Sequence, residues 1–217
     1  MSYDAICDGA RARHLSVLGA FHATDDKDLP EGTRSVVMLG PDEPGFWPAV
    51  LSSPEWQDKR PDPIDRWSAR VIGEWAGDIG AQALFPFGGP PHKPFFRWAT
   101  RTGRIHASPV LLLVHDRAGL FVSFRGALAL PRRIDLPSNP ANPCESCAGR
   151  PCLTACPVGA LTPQGYDVPG CKSHITGTDS AGCMSQGCAA RRACPVSQNF
   201  GRLPAQSAHH MESFLKP

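Results

Sequence analysis

Eight cysteines crowd the last third of this 217-residue chain. They form two runs, Cys144-x2-Cys147-x4-Cys152-x3-Cys156-Pro157 and Cys171-x11-Cys183-x4-Cys188-x5-Cys194-Pro195. The tetrapeptide Ala-Cys-Pro-Val closes both, at 155–158 and 193–196. Thiolates are metal ligands, and dense cysteines in a chain without a secretory signal point to metal rather than to disulfides. Eight thiols in two proline-terminated groups match the count for two [4Fe–4S] clusters, each taking four thiolates. Closely spaced cysteines on a loop can wrap three corners of a cubane, and the fourth ligand must come from elsewhere. In two-cluster ferredoxins the cysteine before proline serves the other cluster. That gives a reason for writing the same ending twice. The proline lacks an N–H, fixes φ and suits the start of a short helix.

Zinc is the competing metal, since two four-thiolate sites would also use eight cysteines. Zinc modules present separated C-x2-C pairs, and only one such pair, Cys144–Cys147, occurs here. The gaps depart from the C-x2-C-x2-C-x3-C-P spacing of bacterial ferredoxins: the middle gap is longer in the first run, and every gap is longer in the second. Arg150, Lys172, His174, Arg191 and Arg192 sit close to these cysteines in sequence, where hydrogen bonds and positive charge would tune a cluster; solvated surface positions are the equal alternative. His209 and His210, in a C-terminal helical stretch, read as surface or packing residues, and Cys7 as a structural thiol.

The elements that must position these cysteines divide by composition. Residues 1–137 hold all five tryptophans and read as a mixed α/β layer domain. DPIDRWSARVIGEWAGDIG (62–80) predicts a helix capped by Asp62, started by Pro63 and stopped at Gly80. Ile64, Trp67, Val71, Ile72, Trp75 and Ile79 share its apolar face. Segments 2–19 and 94–102 predict helices. RSVVMLG (34–40) predicts a strand, and SPVLLLVHDRAGLFVSFRG (108–126) predicts two strands around a turn at 116–119, the first buried on both faces. PDEPGFWP, RPDPI and GGPPHKP read as proline-rich connections. After the linker-like PSNPANP (137–143), residues 138–217 carry about 13 large apolar side chains in 80 positions and no tryptophan. That is thin for an independent core, so the cysteines are the candidate organisers of a small dicluster domain. The expected fold class is α+β: an α/β domain over 1–137, then a ferredoxin-like domain over 138–217.

Composition limits the other classes. Hydrophobic content of 41% with 19% charged residues predicts a packed fold. No run of about 18 apolar residues predicts a membrane span, and MSYDAICDGARARH lacks the apolar stretch of a signal peptide, so a cytoplasmic location is expected. A net charge of +2 gives no strong argument for a nucleic-acid partner.

With these residues in place, the cysteine segment resembles the dicluster ferredoxin domain of epoxyqueuosine reductases and of cobalamin-dependent reductive dehalogenases. In that pattern a first group of four ends in Cys-Pro, a lone cysteine follows, and a second group ends in Cys-Pro; Cys171, in GCKSHIT, takes the lone position. The resemblance implies that Cys144, Cys147, Cys152 and Cys194 hold one cluster, and Cys156, Cys171, Cys183 and Cys188 the other. LPEGTRSVVMLG looks like the family's strand near the N-terminus, and RWATRTGRIHASPVLLLVHDRAGLFVSFRGALAL like the stretch before its clusters.

The departures concern the substrate chamber. The family's Gly-Trp-Ile-Gly-Lys segment is replaced by GRIHAS (103–108), and its acidic proton donor has no counterpart, since no aspartate or glutamate lies between Asp78 and Asp116. His92, Arg101, Arg104 or His106 would have to take over polar work there. The tRNA-holding C-terminal extension of epoxyqueuosine reductases is not expected, because the chain stops 23 residues after Cys194. The expectation is a shorter relative: an iron–sulfur redox protein passing electrons to a redox partner protein or to a site in its N-terminal domain. Its alternatives are a cobalamin- or flavin-dependent reductase fed by the clusters, and a structural metal-binding interaction module.

Overall fold

The computed structural model describes residues 1–24 and 26–216. In chain order the elements are α1 (Tyr3–Arg11), β1 (Leu15–His22), β2 (Ser35–Pro41), α2 (Phe46–Leu51), α3 (Pro54–Gln57), α4 (Pro63–Asp78), β3 (Gln82–Leu84), α5 (Phe95–Arg101), β4 (Ile105–Ala107), β5 (Leu113–His115) and β6 (Gly126–Leu130). A single 3-10 turn follows at Pro151–Leu153, then β7 (Leu161–Thr162), β8 (Gly165–Tyr166), α6 (Val168–Thr176), α7 (Cys183–Gln186), α8 (Ala189–Ala193), α9 (Pro195–Gln198) and α10 (Pro204–Leu215). The class is α+β, as expected. No helix among the described residues is long and apolar enough to cross a membrane.

Packing divides the chain into two units. The first comprises 1–105 and 123–140, the second 106–122 and 141–217. The expected boundary at 137/138 differs from this chiefly in segment 106–122, which packs with the cysteine region instead of with the sheet.

The first unit is built on an antiparallel four-stranded sheet in the order β1-β2-β6-β3. Every residue of β2 and β6 is buried, as their run of Val, Leu, Met and Ala side chains requires. The predicted helix over 62–80 forms as α4 and buries Ile64, Trp67, Ile72 and Trp75. Asp62 does not cap it through its side chain. It takes a left-handed φ of 54° instead, and Pro63 opens the helix. The helix expected over 2–19 ends at Arg11, because His14 has a φ of 56° and the following LSVLGAFH pairs with β2 as β1. β1 carries a bulge between Val17 and Gly19. A Cβ on Gly19 would come within 2.7 Å of Thr102 Cβ, so only glycine admits the close approach. The loop before β2 is tied to α5 through Asp26, which meets Arg97 at 2.9 Å, Arg101 at 2.8 Å and the Trp98 indole N–H at 3.1 Å.

The second unit has a small apolar cluster of Val110, Val114, Leu120, Leu161 and Ala190, with Cys152 and Cys194 buried among them. Three of the five apolar residues come from 106–122. This is how a region with so little apolar side chain of its own acquires a core. The segment does not form the two strands expected of it. Leu111 turns to a φ of 61° and is half exposed, leaving only Leu113–His115 as strand before the turn. The turn itself lies where expected: His115 and Gly119 exchange backbone hydrogen bonds at 3.0 and 2.9 Å, and the His115 Nδ1 accepts from the N–H groups of Arg117 and Ala118. Leu120 then donates its N–H to Ser197 Oγ at 2.8 Å and accepts at its carbonyl from Arg191 at 2.7 Å. Gly119, at a φ of 56°, allows this: a Cβ would stand 2.5 Å from the Ser197 nitrogen.

Candidate functional site

The two Cys-Pro endings adopt different local structures. Cys194 links α8 to α9 in extended conformation, and Pro195 opens α9, where its missing N–H costs nothing. Cys156 ends the first run in a turn instead: its carbonyl accepts from Gly159 at 3.1 Å and its sulfur from the Ala160 N–H at 3.3 Å. Cys152 sits in the 3-10 turn that follows Arg150, whose φ is 41°. Cys144 is fixed through its N–H, which donates to Asn142 Oδ1 at 3.0 Å. Cys171 lies on α6, Cys183 begins α7, and Cys188 precedes α8.

Three cysteines of the first run and the last cysteine of the second border one cavity of about 350 Å³. Cys144, Cys147, Cys152 and Cys194 are joined there by Ser108 and Arg150. Burial pushes the Cys144 thiol above the ordinary thiol range, and Cys152, Cys194 and Cys147 raise it further, while Arg150 pulls it down. The Cys152 thiol is raised by burial and then by Cys194 and Cys147, partly offset by backbone N–H groups. Cys194 and Cys147 thus stand close enough to Cys144 and Cys152 to disfavour the ionisation of those two thiols.

Among the remaining four cysteines, Cys171 and Cys183 are influenced by neighbouring thiols in the same way. The Cys171 thiol is raised by burial, lowered by a hydrogen bond from the Tyr166 hydroxyl, and raised again by Cys188 and Cys156. The Cys183 thiol is raised by burial and by Cys188 and Asp179, against the Ala189 N–H and Arg192. Asp179 also accepts the N–H groups of Cys183 and Met184 at 2.7 and 3.0 Å, which sets the first turn of α7.

Of the five basic residues singled out by sequence, Arg150, Arg191 and Arg192 bear on thiols. Half-buried Arg191 has its basicity lowered by burial and sustained by Cys188 and Tyr166. Arg192 is held by the carbonyls of Gly187 at 3.0 Å and Ala181 at 2.5 Å. Lys172 instead lies over the Phe214 ring at 5.2 Å. The His174 Nε2 is buried with no hydrogen-bond partner among the described residues. His209 is half-buried in α10, and burial lowers its pKa. Cys7 is half-buried beside Tyr3, and burial raises its thiol pKa.

Of the polar residues suggested for a substrate chamber, His92, Arg101 and Arg104 belong to the first unit, and His106 to the second, where its buried Nε2 has no hydrogen-bond partner among the described residues. Arg101 is committed to Asp26 and lies over the Phe21 ring at 4.2 Å. Arg104 attends Tyr3, and His92 is exposed. Sequence reasoning missed Ser108, Asn142, Tyr166 and Asp179. An aspartate four residues before Cys183 and a tyrosine five before Cys171 were visible, but no pattern marked them.

Among the described residues no three His, Cys, Asp or Glu side chains converge tightly enough to hold a single metal ion. Four cysteines border the cavity all the same.

No family model matches the chain, and no curated protein sequence matches it. Among solved structures, that of a selenomethionine-labelled epoxyqueuosine reductase is similar at 17% identity and a TM-score of 0.39, over 95% of this chain. The chain spans 64% of the length of that reductase. The likeness is a distant one.

Proposed function

We propose that the second unit binds two [4Fe–4S] clusters and serves electron transfer to a redox partner protein or to an acceptor in the first unit. The observation that carries this reading is the cavity bordered by Cys144, Cys147, Cys152 and Cys194. A ligand set drawn three from one run and one from the other is what interlocked four-thiolate sites require. Its size favours a polyatomic group over a lone ion, whose thiolates would lie about 2.3 Å from one centre. Cys188, which raises the thiols of both Cys171 and Cys183, and Cys156, which raises that of Cys171, support a second set of the same kind. Each cluster supplies a one-electron couple whose potential depends on the hydrogen bonds and charge around it.

The chain's own part is to hold eight thiols and to make their ionisation affordable. Arg150 favours the thiolate of Cys144, Arg192 that of Cys183, and the Tyr166 hydroxyl that of Cys171. Asn142 and Asp179 fix the backbone entering Cys144 and Cys183. The buried apolar side chains of Val114 and Leu120 line one side of the first cavity.

Anaerobic reconstitution tests the reading. About eight iron and eight sulfide per chain are expected from two four-iron clusters, with visible absorption that bleaches on reduction. Stoichiometric zinc without sulfide would overturn it. Clusters that load but do not cycle reversibly would leave the metal a structural role and remove the electron-transfer part.

A further inference from the structure

Ser108 is the one residue bordering the thiol-lined cavity whose own polar atom is left over. The residue is 4% exposed, and its Oγ has no hydrogen-bond partner among the described residues. Its backbone is fully engaged: the N–H donates to the Leu112 carbonyl at 2.8 Å, and its carbonyl accepts from Leu111 at 2.9 Å. These bonds fix the backbone of the residue at the cavity wall, and its burial keeps the hydroxyl from solvent. A buried hydroxyl without a partner is costly, and native structures rarely keep one without a reason. Cys144, Cys147, Cys152 and Cys194 border the same cavity, and their sulfurs are acceptors once ionised.

We propose that Ser108 tunes the first cysteine set: with iron and sulfide bound, its hydroxyl donates a hydrogen bond to sulfur there and raises the reduction potential of that site. The physical ground is charge. Reduction adds one electron, so the donor is held more tightly in the reduced state than in the oxidised one, and the equilibrium moves toward reduction. Ser146, on the loop between Cys144 and Cys147, also borders the cavity, but it is exposed, whereas Ser108 is buried. The proposal rests on the iron–sulfur reading given above.

The test is an EPR-monitored redox titration of reconstituted full-length chain, with iron and sulfide counted on the same samples. Ser108→Ala is expected to keep full iron and sulfide and to lower one of two potentials by about tenfold in the reduction equilibrium, ~59 mV for a one-electron couple. The other potential should not move. Ser108→Thr and Ser108→Val have the same shape and differ by the hydroxyl. Thr is expected near the wild-type potential and Val near that of Ala. Equal potentials in Thr and Val would overturn the proposal while leaving the clusters standing. A Ser108→Ala chain that loses iron while Ser108→Thr retains it would assign the hydroxyl to assembly and would overturn tuning too. Wild-type chain that takes up no sulfide would defeat the iron–sulfur reading itself, and the proposal with it.

Discussion

Cys152 and Cys194 are buried in the same apolar cluster and border the same cavity, although one belongs to the first cysteine run and the other ends the second. Cys194 is also the first neighbour, after burial itself, to raise the Cys152 thiol. Removing Cys194 should therefore be felt at the first run. Cys194→Ala is expected to lose about half of the bound iron, with the EPR signal of one site gone and the other intact. Cys156→Ala should remove the complementary signal. A Cys194→Ala chain with both signals unchanged would show that the two runs do not share ligands.

Gly119 predicts a packing defect in the second unit. An alanine there must hold a φ of 56° and place its Cβ 2.5 Å from backbone nitrogen of Ser197. Left-handed strain of ~1–2 kcal/mol adds to overpacking of ~1–3 kcal/mol. Limited proteolysis of Gly119→Ala should cut within 141–217 faster than in wild type. Tryptophan fluorescence should stay native, because all five tryptophans belong to the first unit. A variant as resistant as wild type would show that the 115–121 turn does not pack on α9 as described.

The pH response of the second unit should reverse on metal loading. In metal-free chain the thiols of Cys144, Cys152, Cys171 and Cys183 are raised above their ordinary range. The folded state then holds its protons longer than the unfolded one, and stability falls as pH climbs through about 8.5 and beyond. Loaded chain has given up those protons, so acid, which competes for the thiolates, is what weakens it. Thermal melts from pH 6 to 10 on metal-free and reconstituted protein should show opposite slopes. Parallel slopes would contradict thiolate ligation.

Asp26 makes the first unit sensitive to acid by a separate route. Burial alone would raise its pKa, but the Asp28 N–H, the Trp98 indole and the Arg97 and Arg101 guanidiniums outweigh burial and hold it below the usual carboxylate value. Its contribution is complete above about pH 4 and lost as pH falls through the lowered value. Asp26→Asn should cost ~1.5–3 kcal/mol at pH 7 and flatten, without abolishing, the acid limb of a tryptophan-monitored titration. Glu55, held low by Arg70, keeps part of that limb in place. An unchanged acid limb in Asp26→Asn would remove the anchor from the account.

The sequence made α4, α5 and β2 legible because each carries a strong local signal: Pro63 before a 3.6-residue apolar period, Pro94 before an aromatic turn, and a β-branched run ending in glycine. The grouping of cysteines into two runs was equally plain. The allegiance of 106–122 was not, because Val110, Val114 and Leu120 read as buried apolar residues whichever core they enter. What decides is a pair of long-range bonds, Leu120 to Ser197 and Arg191 to Leu120, that no local pattern encodes. β1 was misread for a related reason. LSVLGAFH is compatible with a helix until β2 is present to pair with it. Ser108 and Tyr166 gave no signal, since a single hydroxyl acquires meaning only from what folds against it.

The excursion of 106–122 has a consequence for heredity and synthesis. β6, an interior strand of the first sheet, is reached only after the chain has left that unit and supplied the second with part of its core. The cysteine region is therefore not a portable cassette. A gene fusion that copied it from residue 138 onward would leave Val110, Val114 and Leu120 behind, and would transplant thiols without the apolar side chains clustered with Cys152 and Cys194. On the ribosome, too, the first sheet closes only after those residues have already emerged.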